Sequence, residues 1–435
     1  MLATTIGVGD TMRKLGLLLI AATMISATPA AAQTIDVRAG RLIDPASGQV
    51  LADRRIRIVA GRIAAVEPWR DGAPALDWSG YTVLPGLIDM HTHIADGADD
   101  EGSDPAAPFK STEATTILKA VKAARTMLRA GFTTVRDAGV YRGLTDIDLR
   151  DAIEAGTIEG PRMLVAGGYI TTPGGGGDVS GLARDMPIPD TFRVGVVRNP
   201  GEARDRARYL LDQGADFIKL IATGAVLAIG SEPGSLELSP EEMKAACDEA
   251  TLRGKYCIAH AHGAEGIKAA IRAGARTIEH ASYLDAEGIA LAKAKGVWLD
   301  MDIYNGDWIE EFGTKQGWPA EYLRKNRETT DVQRRGFSAA VKAGARLTYG
   351  TDAAVYPYRF AGRQFAYMVR FGMTPLQAIR SATSEAAKAL RLEGQVGTLA
   401  PGAYGDLVAV AGDPLADIKL LEKVAAVVKA GQVVR

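Results

Sequence analysis

Tyr256-Cys-Ile-Ala-His260-Ala-His262-Gly263 is followed by Ala264-Glu-Gly-Ile-Lys-Ala-Ala-Ile-Arg-Ala273 and then by Gly274-Ala-Arg-Thr-Ile-Glu-His280. A short apolar run, a stretch with helical spacing and a second short apolar run read as strand, helix and strand, with a glycine closing the helix. Outward from this unit the pattern repeats. Further strands are expected before His91 and at Thr133–Asp137, Arg162–Ala166, Phe217–Ile221, Val297–Met301 and Arg346–Gly350. Helices are expected at Ile117–Ala130, Glu202–Gln213, Pro240–Leu252 and Glu265–Ala273. The phrases Arg129-Ala-Gly-Phe-Thr-Thr, Asp212-Gln-Gly-Ala-Asp-Phe, Arg272-Ala-Gly-Ala-Arg-Thr and Lys342-Ala-Gly-Ala-Arg-Leu mark one recurrent turn from helix to strand. Eight such units, joined by right-handed crossovers, predict an α/β fold: a (β/α)8 TIM barrel over residues 84–392.

The flanks have another texture. Arg55-Ile-Arg-Ile-Val and Arg62-Ile-Ala-Ala-Val on one side, and Leu407-Val-Ala-Val-Ala and Val424-Ala-Ala-Val-Val on the other, are short β-rich runs between turns. Isolated hairpins are only marginally stable, so residues 33–83 and 393–435 are expected to join in one small β-sandwich domain. Two stretches interrupt the barrel's regularity and are expected to be substrate loops: Gly-rich Thr171–Gly181, and the aromatic and charged stretch from Trp308 to Arg324.

Residues 1–32 read as a cleaved signal peptide. Arg13 and Lys14 precede the apolar run Leu15–Ala22, small residues follow to Ala30-Ala-Ala32, and Met12 is an alternative start. The apolar run is too short to span a bilayer, so a periplasmic or secreted protein without stable membrane insertion is expected. A net charge of -1, with 24% charged and 47% hydrophobic residues, describes a soluble globular protein, and no basic run suits nucleic acid. Cys247 and Cys257 have no zinc-type spacing and are expected to be buried free thiols.

All five histidines, His91, His93, His260, His262 and His280, fall at the ends of expected strands. In a barrel those ends converge on one mouth, so a shared site is expected. Alternation along a strand sends His91 and His93 to the same face, where both imidazoles can reach one metal ion.

Leu84-Pro-Gly-Leu-Ile-Asp-Met-His91-Thr-His93 resembles the entry motif of the amidohydrolase superfamily, in the branch of imidazolonepropionases and metal-dependent dipeptidases, including prolidase-like and Xaa-Arg/Lys carboxypeptidase-like members. Ile218-Lys219, His260-Ala-His262-Gly, Ile278-Glu-His280, Gly350-Thr-Asp352 and the late run Gly397-Thr-Leu-Ala-Pro-Gly-Ala-Tyr-Gly-Asp-Leu-Val continue the resemblance over nearly all of the mature chain.

The resemblance implies two divalent ions, zinc by preference. One would be held by His91, His93 and Asp352 and the other by His260 and His280, bridged by a carbon dioxide-derived carbamate on Lys219. It favours His260 over His262 as the ligand and leaves His262 to the substrate. Asp352 is then ligand and proton shuttle. Prolidase-like members carry a histidine in the Gly-rich loop where this chain has Gly176. Backbone N–H groups there, or Tyr169, Tyr356, Tyr358, Arg359 and Arg363, are candidates to meet a substrate carboxylate.

The expected activity is hydrolysis of amide bonds in small molecules: dipeptides or N-acyl amino acids with a free C-terminal carboxylate, and bulky aryl amides such as ochratoxin. Such barrels commonly assemble as homo-oligomers. The rival readings are a cyclic-amide hydrolase or deaminase of the same superfamily and, in another class, a non-catalytic periplasmic binding protein. Lys219 favours the two-metal branch, and a complete ligand set argues against the binding protein.

Overall fold

Alternation in Thr34-Ile-Asp-Val-Arg-Ala buries Ile35, Val37 and Ala39 while the residues between them stay partly or wholly exposed, the signature of a strand with one covered face. The computed structural model describes residues 33–96, 110–183 and 185–435. The expected signal segment lies outside the described residues. Four strands open the described residues: β1 (Thr34–Ile43), β2 (Val50–Val59), β3 (Arg62–Pro68) and β4 (Leu76–Pro85).

The chain then passes into parallel strands: β5 (Leu87–Thr92), β6 (Phe132–Asp137), β7 (Arg162–Val165), β8 (Tyr169–Ile170), β9 (Ile218–Ile221), β10 (Cys257–Ala261), β11 (Thr277–His280), β12 (Trp298–Asp300) and β13 (Arg346–Thr348). These are the eight strands of a barrel, the third broken into β7 and β8. Gly167 (φ +74°) and Gly168 (φ +156°) make that break, in backbone conformations that a Cβ disfavours. β7 bonds to β6 and β8 bonds to β9. The ring closes where Met90 N–H donates to Tyr349 O (2.8 Å) and Asp352 N–H to His91 O (2.8 Å).

The last strands, β14 (Leu407–Val410), β15 (Ala426–Lys429) and β16 (Gln432–Val433), return to the beginning. β14 runs antiparallel to β4, and one seven-stranded sheet has the order β16-β15-β14-β4-β1-β2-β3. Strands from residues 34–85 and 407–433 thus share one seven-stranded sheet, where the flank texture leads one to expect a sandwich.

The expected helices form at Glu113–Arg129, Pro200–Asp212, Pro240–Leu252 and Ala264–Ala273. Thr112, Asn199 and Ser239 cap the first three by accepting a backbone N–H on the side-chain oxygen. No described helix is long and apolar enough to cross a membrane.

Two expectations are corrected. Cys247 and Cys257 are disulfide-bonded, not free, with Cα atoms 5.2 Å apart. Cys247 is buried on the helix Pro240–Leu252, and the chain turns back through Gly254 so that β10 starts beside the helix it follows. The stretch from Trp308 to Arg324 is not an open loop. It continues a short helix from Asn305 through a π-helical turn at Ile309–Gly313 and enters the long helix Ala320–Lys342. Trp308 stacks on Phe312 at 4.9 Å, and Arg327 pairs with Glu310, so its aromatic and charged residues hold one helical segment against the next.

Candidate metal centre

Strand β5 delivers His91 and His93 to the barrel mouth, and two aspartates fix where it ends. Asp89 accepts His91 N–H (3.1 Å) and the Thr351 hydroxyl (2.6 Å), tying strand one to strand eight. Asp137 accepts Thr92 Oγ1 (2.8 Å) and the N–H groups of Ile94 and Ala95 (2.6 and 3.2 Å), which sets the turn after His93. His280 (φ +66°) and Asp352 (φ +56°) both hold left-handed backbone conformations, strain of the kind that concentrates at functional sites.

The structure brings all five histidines, Lys219 and Asp352 together. His91 Nε2 lies 3.2 Å from His93 Nε2, and Asp352 Oδ1 lies 3.6 and 3.2 Å from those two atoms. On the other side His260, His262 and His280 gather, with ring centroids 4.5 to 4.8 Å apart. His260, on β10, and His262, just beyond its end, lie at similar distances from His280, 4.5 and 4.8 Å between ring centroids. Lys219, buried on β9, puts Nζ 3.4 Å from His91 Nε2.

Each imidazole has one nitrogen facing a polar partner. His93 Nδ1 faces Gly139 O (2.7 Å), His280 Nδ1 faces Asp302 Oδ1 (3.0 Å), and His91 Nδ1 faces Glu279 Oε2 (3.2 Å). Ser282 Oγ holds His262 Nδ1 at 2.7 Å, and Gly224 O holds His260 Nε2 at 3.2 Å. The Nε2 atoms of His91 and His93 turn instead toward each other, Asp352 and Lys219, so that one nitrogen of each ring is held from outside and the other faces the shared centre, the arrangement of metal-ligating histidines.

Does this donor set fit an ion? Ligand atoms about 2.0 Å from a tetrahedral zinc stand roughly 3.3 Å from one another. The His91, His93 and Asp352 donor atoms, at 3.2 to 3.6 Å, form one face of such a tetrahedron. Burial, with the charge of Lys219 among the other causes, holds His91, His260 and His262 well below the ordinary histidine value, in the neutral form that ligates. His93 is pushed up to about 9: burial opposes its charge, but the hydrogen bond and charge of Asp352 outweigh it. Burial lowers Lys219 to about 8, enlarging the amine fraction that can react with carbon dioxide.

A cleft of about 170 Å³ opens over these residues. Ile221, Val226, Leu227, Ile309 and Val355 give it an apolar wall, and Tyr141, Ser282, Asn326 and Thr330 a polar one. Tyr169 and Gly176 line it too. The Tyr169 hydroxyl donates to Gly139 O (3.1 Å) beside His93. Gly176 is spoken for by protein: its N–H donates to Glu237 (2.7 Å) and its carbonyl accepts from Tyr141 (3.3 Å). A Cβ there would lie 2.8 Å from Ala225 Cβ, so the loop has no room for a side chain in its present path.

Tyr356, Tyr358, Arg359 and Arg363 are not among the described lining residues. Tyr356 is buried against Tyr304, Tyr358 donates to His93 O (3.1 Å), and Arg359 and Arg363 stack on Phe360. No arginine lines the cleft among the described residues.

Sequence reasoning gave no role to Tyr141, Glu279, Asp302 or Asn305. Asn305 donates to both Asp302 Oδ2 (3.0 Å) and Asp352 Oδ2 (2.9 Å), linking the partners of the two histidine groups. The signal for Glu279 was an acid inside an apolar strand next to a histidine.

A parallel barrel that gathers histidines, a buried lysine and an aspartate at its mouth defines a barrel hydrolase with a metal-type site. The chain belongs to the Amidohydrolase family, which it matches over residues 82–434. Ochratoxinase of Aspergillus niger is 31% identical over 360 residues, 79% of this chain and 73% of that protein. Imidazolonepropionase of Streptomyces coelicolor is 26% identical over 351 residues, covering 76% and 78%. The solved structure of a Xaa-Pro dipeptidase with methionine bound in its active site superposes with a TM-score of 0.85 at 35% identity, covering 92% of this chain and 99% of that one. The protein is a hydrolase acting on carbon–nitrogen bonds.

Proposed function

We propose that the protein is a two-metal amidase, exported by its signal peptide, that cleaves dipeptides or N-acyl amino acids with a free C-terminal carboxylate and accepts bulky aryl amides. One observation carries the reading: His91, His93 and Asp352 converge at tetrahedral ligand spacing opposite the group of His260, His262 and His280, with Lys219 beside them. Zinc suits these imidazole and carboxylate donors, and a carbamate on Lys219 would supply two anionic oxygens between the ions. Bound ions would lower the pKa of water toward neutrality and polarise the scissile carbonyl.

The chain's own groups do the rest. Asp352 takes the proton of the attacking water and returns it to the leaving nitrogen. Asn305 holds the other carboxylate oxygen of Asp352 and so fixes the direction of that transfer. The apolar wall suits an aromatic or branched acyl group, in keeping with the similarity to an ochratoxinase and a dipeptidase.

A carboxylate on the leaving group would be met by His262 and hydroxyl groups, since no described arginine lines the cleft. A cleft holding two dications attracts such an anion. Amidating the carboxylate of a good dipeptide substrate is therefore expected to lower kcat/KM by about 2 to 5 kcal/mol. Equal kcat/KM for the acid and its amide would exclude carboxylate recognition and favour the cyclic-amide reading. Export is tested separately: the protein recovered from the periplasm of a bacterial host should begin near Gln33. An intact N-terminus on cytosolic protein would refute export.

A further inference from the structure

Four charged or hydroxyl side chains lie sealed beneath the candidate metal centre, and one of them, Glu279, faces His91. Arg136 on β6, Thr277 and Glu279 on β11 and Asp300 on β12 are buried, each at most 1% exposed. An arginine in the middle of an apolar strand is costly to bury unless its partners are in place, and here they are. Arg136 Nη2 donates to both Glu279 oxygens (3.0 and 2.8 Å) and to Asp300 Oδ2 (3.3 Å). Its Nη1 donates to Thr277 Oγ1 (2.9 Å), and Thr277 in turn donates to Glu279 Oε1.

The network has two contacts with one ligand-bearing segment. Arg136 Nε donates to Met90 O (2.6 Å), the carbonyl just before His91. Glu279 Oε2 lies 3.2 Å from His91 Nδ1, on the ring edge away from His93 and Asp352. One fixes the backbone of His91 and the other its ring. We propose that Glu279 is a positioning residue that holds the Nδ1 proton of His91 and so aims its Nε2 at the ion shared with His93 and Asp352, while Arg136 holds Glu279 and the Met90 carbonyl in register.

The inference rests on the two-ion reading. If Glu279 only balances the charge of Arg136, removing it weakens the fold and leaves ion binding alone. If it positions His91, zinc affinity falls at one site of the two. Glu279→Gln keeps the shape and removes the anionic acceptor. Losing the outer partner of a ligating histidine typically costs 10- to 100-fold in metal affinity.

The experiment titrates zinc-loaded wild-type and Glu279→Gln protein with a chelator, reads zinc retained per chain, and records the melting temperature of each metal-free protein. The expected result is one ion released from Glu279→Gln at roughly 10- to 100-fold lower free chelator, with the other released as in wild type. Lower melting temperature with unchanged release of both ions would overturn the proposal. Wild-type protein that binds no zinc would instead sink the two-ion reading beneath it.

Should Glu279→Gln not fold, the triple variant Arg136→Met, Glu279→Gln and Asp300→Asn removes all three buried charged groups and carries the same expectation. Zinc-loaded wild-type protein with ¹⁵N-labelled histidine supplies a check without any variant. His91 should show a protonated Nδ1 and a metal-shifted Nε2, and the reverse would overturn the proposal.

Discussion

Asp352→Asn is expected to lower kcat by about 10²- to 10⁴-fold while most of the bound metal stays. Asp352 Oδ1 faces His91 and His93, and a carbonyl oxygen can take that place in the variant. The amide cannot accept a proton from the attacking water. It also brings an N–H group toward Asn305 Nδ2, which donates to Asp352 Oδ2 at 2.9 Å in the wild type. Two donors cannot share that contact, so a modest loss of stability accompanies the loss of turnover. Steady-state kinetics with metal analysis reads the result. A change confined to KM would contradict the shuttle role.

Lys219→Ala is expected to lose one ion and most of the activity, with kcat/KM falling by several kcal/mol, about 10²-fold or more. Lys219 is buried and has an ammonium nitrogen 3.4 Å from His91 Nε2, a position that an amine cation could hold only at a cost near bound dications. A short carboxylic acid at high concentration should enter the space left by the side chain and partly restore ion and activity. Wild-type kcat/KM and metal content in the unrescued variant would show Lys219 to be an ordinary buried lysine.

The strands that carry the site were legible because each repeats one local pattern: apolar run, polar or histidine end, helix, glycine turn. Strand β11 is the clearest case, ending on His280 as Thr277-Ile-Glu-His requires. What alternation along a strand could not reveal was the partner on the far side of the barrel. Arg136 and Glu279 read as odd charges in separate strands, and only closure of the barrel brings them to 2.8 Å. The bond between Cys247 and Cys257 escaped for a related reason. Ten residues of separation say nothing about contact until the helix is seen to pack on the strand after it.

The candidates for a substrate carboxylate were the least legible. Tyr356, Tyr358, Arg359 and Arg363 follow Asp352 closely in sequence, but the turn and the 3-10 helix at Tyr358–Arg363 set them against Tyr304, His93 O and Phe360, and none of them lines the cleft. Gly176 was legible as a departure from prolidase-like relatives, but its cause is steric. The loop runs so close to Ala225 that a Cβ has no space, and its N–H already serves Glu237.

If two ions held by His91, His93, Lys219, His260, His280 and Asp352 drive amide hydrolysis, activity should follow metal loading. Titrating metal-free protein with zinc while following dipeptide hydrolysis tests it most directly. Activity should be absent at the start and reach its plateau at about two equivalents per chain. Full turnover by protein shown to carry no divalent metal would contradict it.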